Sequence, residues 1–373
     1  MNILHELHTH GQSIWYDFIG RNFITSGRMK ELVEKGIRGM TSNPTIFEGA
    51  IAGGEEYDEQ IASLDGAGKT TGEIATELFM TDVRGACDVL RPLFDQSNGS
   101  DGYISLEVSP TLANNTEGSI EEAIRLWKGV DRPNLMMKIP ATPEGYPAIQ
   151  ECIAEGININ ITLIFSVEQY RQVVEAYLSG LEARLRGGRS IDHVSSVASL
   201  FVSRIDSMID GWLERIGSPE ALALRGKAGL ANSKLVYQEF QRLFSAERWD
   251  RLRAEGANLQ RPLWASTSTK NPDYPDLLYV DNLIGPNTVN TVPPATLESI
   301  LDHGIASSTI EKGMEEAEET MRSIEEAGVS LEKVMDDLLD QGVEKFAASF
   351  TSLFEKIEAK REQLRQAGIA ESS

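Results

Sequence analysis

The sequence has few cysteines, few positive charges and no long apolar run, and each shortage excludes a class of protein. Cys87 and Cys152 are the only cysteines among 373 residues, and they lie far apart. A disulfide framework is therefore not expected, and reduced thiols in the cytoplasm fit better. No apolar run approaches the roughly 20 residues of a membrane-spanning helix. The amino end has no basic segment followed by an apolar one, so we predict a cytoplasmic protein without a signal peptide or a membrane partner.

Positive charge is scarce, because the chain has 35 Lys and Arg residues against 57 Asp and Glu, for a net charge of -22. This balance argues against a nucleic-acid partner, since phosphate contacts need clustered Lys and Arg. A small phosphorylated substrate stays open, because it needs only one or two local cations. What is present is the composition of a soluble globular protein, 41% hydrophobic and 25% charged.

Two short motifs are similar to a nucleotide site and a metal site, and neither is complete. Gly66-Ala-Gly-Lys-Thr70 is similar to a phosphate-binding loop, but Ser63 stands where the earlier glycine is required, and no apolar strand precedes it. His5-Glu-Leu-His8-Thr-His10 is similar to a zinc-binding helix, but Thr9 occupies the fifth position of the His-Glu-x-x-His pattern. We interpret the amino end as a mobile terminus and predict no metal and no cofactor.

Short, β-prone apolar runs alternate with helical patterns along the chain. Two of the helical patterns, residues 118–130 and 166–184, begin with the capping boxes Ser119-x-x-Glu122 and Ser166-x-x-Gln169. Alternation with eight strand candidates predicts an α/β fold. It favours a closed (β/α)8 TIM barrel over an open doubly wound sheet. The strand candidates are residues 13–19, 36–42, 102–109, 134–141, 158–165, 194–201, 262–267 and 288–292.

We predict a single barrel domain, residues 1–373, that exceeds a minimal barrel in two places. Residues 205–256 hold about two helices where one would suffice, which predicts an extra helical insertion after strand 6. A C-terminal helical extension, about residues 305–370, holds two acidic amphipathic helices broken near residues 327–330. Residues 49–71 are polar and glycine-rich and are expected to form a flexible loop.

A lysine in the middle of an apolar run is the centre of the functional argument. In Asn134-Leu-Met-Met-Lys-Ile-Pro-Ala-Thr-Pro143, a strand places Lys138 on the same face as Met136, out of water. Thr142-Pro143 is typical of a helix start, so Lys138 is expected near the carboxyl end of its strand, where parallel α/β folds bind ligands. Burial favours a neutral amine, which can form an imine with a carbonyl substrate. The alternative is a lysine that extends to solvent from an edge strand or pairs with a carboxylate.

Other polar side chains lie near the ends of neighbouring strand candidates, at positions where a barrel core would be apolar. Two carboxyl groups near one lysine suit imine chemistry, because one can move the proton of a substrate hydroxyl while the other handles water. Each residue alone also has an ordinary structural explanation, such as a turn or a helix cap. The polar residues are Asp17, Asn43, Glu107, Asn160, Thr162 and Ser199.

Two cations follow the next strands. Arg204 follows the sixth strand candidate and Lys270 follows the seventh. Both are placed to hold a phosphate group, which is a common anchor in such barrels. The alternative is that both are ordinary surface cations.

Six segments, taken together and in order, match one known family. They are GMTSNPTIF (39–47), SLEVSP (105–110), LMMKIPAT (135–142), INITLIFS (159–166), ASLFVSR (198–204) and WASTSTK (264–270). On these segments the chain resembles the transaldolases, specifically their longer bacterial form, over most of its length. The resemblance implies a (β/α)8 barrel that transfers a dihydroxyacetone unit from sedoheptulose 7-phosphate to glyceraldehyde 3-phosphate. The products would be erythrose 4-phosphate and fructose 6-phosphate, in the non-oxidative pentose phosphate pathway.

The resemblance also implies which residues carry the chemistry. Lys138 would form the Schiff base, and Asp17 would be the acid and base for carbon–carbon cleavage. Glu107 with Thr162 would hold the catalytic water.

The same resemblance implies the binding residues. Asn43 and Asn160 would bind donor hydroxyls, Ser199 would line the pocket, and Arg204 would bind the phosphate of the acceptor. Lys270 stands where the shorter form of the family has an arginine, so it would contact phosphate as a point charge and not as a fork.

Two other functions stay open at this stage. One is a lyase similar to fructose-6-phosphate aldolase, which would release free dihydroxyacetone. The other is a barrel that only binds sugar phosphates. The long acidic tail has no counterpart in the small aldolase-like members and favours a transaldolase. The predicted partners are sugar-phosphate substrates and, as one arrangement, a second copy in a homodimer, although the sequence does not determine the oligomeric state.

Overall fold

The computed structural model describes residues 2–368 and closes eight parallel strands into one barrel, in sequence order. Every neighbouring pair is parallel, and the last strand pairs with the first. The predicted (β/α)8 barrel is therefore confirmed, with each strand candidate present and its bounds shifted by a few residues. The strands are β1 Gln12–Asp17, β2 Gly39–Thr41, β3 Tyr103–Glu107, β4 Leu135–Pro140, β5 Ile159–Ile164, β6 Ser196–Phe201, β7 Gln260–Ala265 and β8 Thr288–Val292.

Helices surround the barrel and connect its strands. In the first half of the chain they are α1 Ile3–Thr9, α2 Arg21–Thr25, α3 Arg28–Lys35, α4 Pro44–Gly53, α5 Asp58–Gly66, α6 Thr71–Gln96, α7 Thr116–Val130 and α8 Gly145–Glu155. In the second half they are α9 Val167–Arg186, α10 Ser203–Ile216, α11 Pro219–Leu222, α12 Ala228–Leu243, α13 Glu247–Ala254, α14 Leu278–Asn282, α15 Pro294–His303, α16 Met314–Glu326 and α17 Leu331–Gln366. Within residues 2–368, no helix is long and apolar enough to cross a membrane.

The barrel interior changes from apolar to polar along the strands. At the amino-terminal end it is filled by large side chains that include Trp15, Tyr103 and Met136. Gly39 makes room for this packing, because a Cβ atom there would lie 2.5 Å from the Trp15 ring. The next inward positions, toward the carboxyl-terminal end of the strands, here called the mouth, carry Asp17 and other polar groups.

Strands β4, β5 and β6 are buried along their whole length, which explains why they read as continuous apolar runs. Met137 and Ile139 point outward into the layer between the barrel and its helices. Lys138 lies between them and points inward, as the period of two predicts.

One helix start differs from the sequence prediction. Thr142-Pro143 does not begin a helix, because α8 begins at Gly145. The Thr142 hydroxyl donates to the carbonyl of Ala113 at 2.5 Å and accepts from the Gly145 N–H at 3.0 Å. Thr142 thus fastens the loop after β4, and Lys138 is still close to the carboxyl end of its strand.

The predicted start of a second helix, at Ser119, was also wrong. Helix α7 begins at Thr116, and its N-cap is Asn115, not Ser119. The Glu122 carboxylate, predicted to close a capping box, accepts instead from the backbone N–H of Ser109 after β3, at 2.5 Å. The other predicted box is confirmed, since Ser166 and Gln169 cap α9 reciprocally.

Two segments predicted to be mobile are helical. Residues 49–71 lie largely in α4 and α5, because Tyr57 and Ile61 are buried and the Tyr57 hydroxyl donates to Asp82 at 2.7 Å. The amino end forms α1, whose Leu4 and Leu7 are buried. Glycine content and a terminal position suggested mobility, and buried side chains override both.

The predicted additions to the barrel are present in a more elaborate form. Between β6 and β7 lie four helices, α10 to α13, where about two were predicted. The two tail helices are confirmed as α16 and α17, with the break at residues 327–330. Helix α17 packs along α4, α5, α6 and α10 and reaches the end of β5 at the mouth. The predicted domain and extension include residues 1 and 369–373, which lie outside the described residues.

Candidate active site

Lys138 lies inside the barrel near the mouth, with 5% of its surface exposed. Its Nζ donates to the carbonyl oxygen of Ser42, after β2, at 3.2 Å. The same nitrogen lies 3.3 Å from Oε2 of Glu107 on the adjacent strand β3, where the two residues are in register. The amine is thus out of bulk water, as the alternation along β4 predicted, and it also lies beside a carboxyl group.

Glu107 is held there by one ion pair and leaves hydrogen-bonding capacity unused. Within residues 2–368 its Oε2 has no hydrogen bond of good geometry, so the contact with Lys138 is a charge contact without a directional bond. Burial raises the pKa of Glu107, and the nearby Lys138 amine opposes this. A carboxyl group in that state can hold a proton or release it at modest cost.

Thr162 supplies a second buried polar atom without a protein partner. It lies on β5, in register with Pro140 two residues beyond Lys138, and is fully buried. Its Oγ1 has no hydrogen-bond partner within the described residues. Buried polar atoms are nearly always satisfied by protein or by water, so this hydroxyl and Glu107 Oε2 have the character of a water site.

Asp17 ends β1 and lines the same cavity as Lys138. Thr41 on β2 donates to its Oδ1 at 2.6 Å, and Thr41 also bonds Thr291 on β8 at 2.7 Å. Burial raises the pKa of Asp17, opposed by Lys138, by the Thr41 hydrogen bond and by Lys270. Two carboxyl groups whose pKa values burial raises therefore lie in one site with one amine.

Asn160 and Ser199 form a hydrogen-bonded chain beneath the amine. Asn160 is in register with Lys138 on the neighbouring strand. Ser199 donates to Asn160 Oδ1 at 2.7 Å, and Asn160 Nδ2 donates to Ser105 Oγ at 2.9 Å. One N–H of the amide is left over, because Nδ2 carries two hydrogens. Asn43 instead caps α4 by accepting from the N–H of Ile46 at 3.0 Å.

A cavity of about 250 Å³ opens at the mouth. Seven of the nine predicted site residues line it, namely Asp17, Asn43, Lys138, Thr162, Ser199, Arg204 and Lys270. Glu107 and Asn160 are not among the lining residues, but each contacts one that is, namely Lys138 and Ser199. Phe201, Thr291 and Phe346 also line the cavity. No sequence pattern indicated them, because apolar and hydroxyl side chains at such positions are typical of core and strand residues.

One side of the cavity carries positive charge. The Arg204 guanidinium stacks on the Phe201 ring, with 4.9 Å from Cζ to the ring centroid, and burial lowers its pKa. Among residues 2–368 no carboxylate pairs with it. Lys270 Nζ donates to Ser268 at 2.7 Å, and burial followed by the charges of Arg204 and Lys345 lowers its pKa. Two positive charges thus lie on one side of the cavity, and the charge of Asp17 opposes the lowering of the Lys270 pKa.

No group of three or more His, Cys, Asp or Glu side chains within the described part of the chain is arranged to hold a metal ion. Thr70, the end of the segment similar to a phosphate-binding loop, forms a reciprocal capping box with Glu73 at the start of α6. The polar groups of that segment are thus used in starting a helix.

The fold and the site define a class, the (β/α)8 barrels with a buried lysine beside a carboxyl group at the mouth. Comparison with known proteins gives the family. Residues 14–357 match the family described as Transaldolase/Fructose-6-phosphate aldolase, and the chain belongs to it.

Similar proteins span nearly the whole chain. A transaldolase of Trichodesmium erythraeum is 47% identical over 374 residues, which covers 97% of this chain and 98% of the relative. A transaldolase of a Parafrankia species is 49% identical over 366 residues and covers 98% of each. A transaldolase of Mycolicibacterium smegmatis is 48% identical over 347 residues, covering 92% of this chain and 94% of the relative.

Proposed function

We propose that the mouth cavity transfers a dihydroxyacetone unit from sedoheptulose 7-phosphate to glyceraldehyde 3-phosphate through an imine on Lys138. The products are erythrose 4-phosphate and fructose 6-phosphate, a step of the pentose phosphate pathway. Family membership and the full-length similarity to transaldolases make the chain a transferase that acts on sugar phosphates. The observation that carries the residue assignment is the Lys138 amine, 5% exposed and 3.3 Å from Glu107 in a cavity shared with Asp17.

Imine formation needs a neutral amine and a place for water. Glu107, whose pKa burial raises, can take the proton of the Lys138 ammonium group. The amine then attacks the ketose carbonyl carbon, and the carbinolamine loses its hydroxyl as water. Glu107 Oε2 and Thr162 Oγ1, both without hydrogen bonds within residues 2–368, suit that water as partners. The resulting iminium group withdraws electrons from the adjacent carbon.

Carbon–carbon cleavage needs a base at the substrate hydroxyl next to the bond that breaks. In our assignment Asp17 takes that proton, the first aldehyde leaves, and Lys138 keeps an enamine of dihydroxyacetone. The enamine carbon attacks the acceptor aldehyde, and Asp17 returns the proton to the new hydroxyl. The raised pKa of Asp17 suits a group that must both accept and donate a proton.

The remaining predicted residues are assigned to binding. Asn43 and the free N–H of Asn160 are proposed to hold donor hydroxyls, and Ser199 orients the Asn160 amide by its 2.7 Å hydrogen bond. Arg204 is proposed to bind the phosphate of the acceptor, with Lys270 beside it. Both cations have lowered pKa values, for which burial is the first cause, and a bound phosphate dianion would relieve their mutual repulsion.

Reduction with borohydride tests the proposal. With fructose 6-phosphate present, reduction should add the mass of a reduced dihydroxyacetone adduct, and peptide mapping should place it on Lys138. Fructose 6-phosphate should be consumed rapidly only when erythrose 4-phosphate is added as acceptor. Acceptor-independent release of dihydroxyacetone at a comparable rate would indicate a lyase instead. A protein that gains no covalent mass would be a binder of sugar phosphates and not an enzyme of this type.

A cytoplasmic location and a homodimer are also retained as predictions. Sedimentation velocity of the purified protein would test the dimer, and fractionation of the cells that make it would test the location.

A further inference from the structure

Phe346 lines the cavity from a helix that is not part of the barrel. It lies on α17, is 6% exposed, and brings its ring to the mouth from the C-terminal extension. The ring centroid lies 5.6 Å from Lys138 Nζ and 5.9 Å from Arg204 Cζ. One side chain therefore contacts both the imine-forming amine and the cation assigned to phosphate.

Close packing fixes the place where α17 passes the mouth. A Cβ atom on Gly342, one turn before Phe346, would lie 2.9 Å from a methyl group of Leu163. Leu163 follows Thr162 at an irregularity in β5 and adopts a φ of 60°, a conformation rare for a leucine. The glycine and the bulged leucine together let the helix approach the end of β5 closely.

Ion pairs hold the rest of α17 against the helices after β2. Lys356 lies 2.6 Å from Glu48 on α4, and Arg361 lies 2.6 Å from Asp65 on α5. Hydrogen bonds from Lys356 lower the pKa of Glu48, and those from Arg365 and Arg361 lower the pKa of Asp65. The Phe346 ring is thus placed by a helix that is tied down on both sides of it.

Transfer competes with hydrolysis once the first aldehyde has left. If the enamine carbon is protonated, the iminium of dihydroxyacetone forms again, and water can add to its carbon. The carbinolamine then releases dihydroxyacetone and the Lys138 amine. One water molecule is consumed: it releases a proton as it adds to the iminium, and this balances the proton that stays on the carbon of dihydroxyacetone. The transferase must therefore keep water from the imine until the acceptor arrives.

We infer that Phe346 is a specificity-determining residue that favours transfer over hydrolysis by covering the Lys138 imine with an apolar ring. The inference rests on the imine of the proposed function. The ring occupies space beside Nζ that water would otherwise fill, and its π-face stabilises the positive iminium without adding a nucleophile. Its contact with Arg204 places the same ring beside the phosphate of the acceptor, so the site is completed when the acceptor binds.

The test compares Phe346→Ala with Phe350→Ala, a matched change one turn further along α17. Phe350 packs on Phe354 and lies outside the mouth cavity. The measurement is the rate of free dihydroxyacetone release from fructose 6-phosphate without acceptor, divided by the rate of transfer to an added aldose phosphate. Phe346→Ala should raise this ratio by at least about tenfold, equivalent to about 1.4 kcal/mol between the two barriers. Phe350→Ala should leave it unchanged.

Phe346→Leu keeps apolar bulk and covers the case in which the alanine variant does not fold. It should raise the ratio less than Phe346→Ala does, and circular dichroism and thermal unfolding identify the variants that are folded. If no folded Phe346 variant raises the ratio above that of Phe350→Ala, while Lys138 is still trapped by borohydride, the inference is overturned and the proposed function stands. If Lys138 is not trapped in the unsubstituted protein, the proposed function itself fails.

Discussion

Asp101 and Glu107 lie at opposite ends of strand β3, the first just before it and the second at its last residue, and their side chains are 2% and 6% exposed. Asp101 accepts from Arg38 at 2.6 Å and from Ser13 at 2.9 Å, and it pairs with Arg261 at 3.1 Å. Burial alone would raise the pKa of Asp101, but Arg261 and Arg38 hold it below its usual range. This carboxylate is fully satisfied by protein.

Glu107 has a different environment at the mouth. Its charged neighbour is one amine at 3.3 Å, and its Oε2 makes no hydrogen bond within residues 2–368. Burial therefore dominates and raises the pKa of Glu107. A carboxyl group is thus fully paired at one end of the barrel, and another is left with unused hydrogen-bonding capacity at the other end.

The difference shows how one barrel separates stability from chemistry. A carboxylate with two guanidinium partners contributes to stability because its charge is compensated in place, and removing such a partner is costly. A carboxyl group left partly unsatisfied destabilises the fold slightly but stays available to a substrate proton or a water molecule. In (β/α)8 barrels the mouth carries function and the opposite end carries stability, and β3 shows both within one strand.

The largest expected effect is the loss of activity on Lys138→Ala. Removal of the nucleophile should lower transfer by at least about a thousandfold, because the groups of such a site act as a unit. Lys30→Ala, which removes an amine whose side chain is 74% exposed, is the control and should keep full activity and borohydride trapping. A folded Lys138→Ala protein with substantial transfer activity would remove the mouth from the mechanism.

A matched pair of amide substitutions on β3 should give opposite results. Asp101→Asn leaves Arg38 and Arg261 without their charge partner and should lower the free energy of unfolding by about 3–5 kcal/mol. Glu107→Gln should leave thermal stability unchanged or higher, but it should lower transfer by about 10²–10⁴-fold because it removes a proton carrier. Denaturant unfolding and steady-state kinetics on both variants measure the pair.

The activity of folded Asp101→Asn is the control for that pair. Measured at a temperature where the variant is folded, its kcat should match that of the unsubstituted protein. If Asp101→Asn loses kcat as Glu107→Gln does, or if Glu107→Gln unfolds as readily as Asp101→Asn, the two ends of the barrel do not divide the roles.

The barrel was predictable because its strands are buried on both faces. Runs such as that of β4 have no polar side, so a single lysine among them stood out, and so did Glu107 on β3 and Asp17 on β1. The burial of these groups follows from an alternation of period two, which the sequence shows directly. The register of the strands then brings these groups together, since Glu107, Lys138 and Asn160 lie side by side on three adjacent strands.

Other features depended on contacts that no local pattern shows. Phe346 reads as an ordinary apolar residue of an amphipathic helix, and only the path of α17 brings it to Lys138. The segment around Tyr57 was wrongly predicted to be a flexible loop, because its glycines are visible in the local sequence. Its contact with Asp82 on α6 joins residues far apart in the sequence, and no local pattern shows it. The Asp101 cluster was missed because its members come from four separate places in the chain, before or early in their strands.

A smaller effect is expected on the cationic side of the cavity. Lys270→Ala should raise KM for the phosphorylated substrates by about tenfold and change kcat little, since a charge contact that is equal in ground and transition states is lost. Lys345→Ala removes a nearby exposed cation on α17 and should change KM much less. Inhibition by inorganic phosphate, measured in parallel, should weaken in Lys270→Ala. Equal shifts in both lysine variants would mean that general charge, and not a phosphate site, sets KM.

The smallest expected effect is a pH dependence of stability with opposite sign at the two ends. Asp17 has a folded-state pKa above 3.8, so its ionisation destabilises the fold as pH rises above that value. Asp17→Asn should therefore raise Tm by at most a few degrees at neutral pH, and this gain should vanish near pH 3.8.

Asp101 has a folded-state pKa below 3.8, so its stabilisation is present above that value and is lost as pH falls through the folded pKa. The loss of Tm in Asp101→Asn should therefore shrink on acidification. Thermal unfolding of both variants and the unsubstituted protein between acid and neutral pH gives two difference curves, and curves of the same sign would contradict the contrast between the ends.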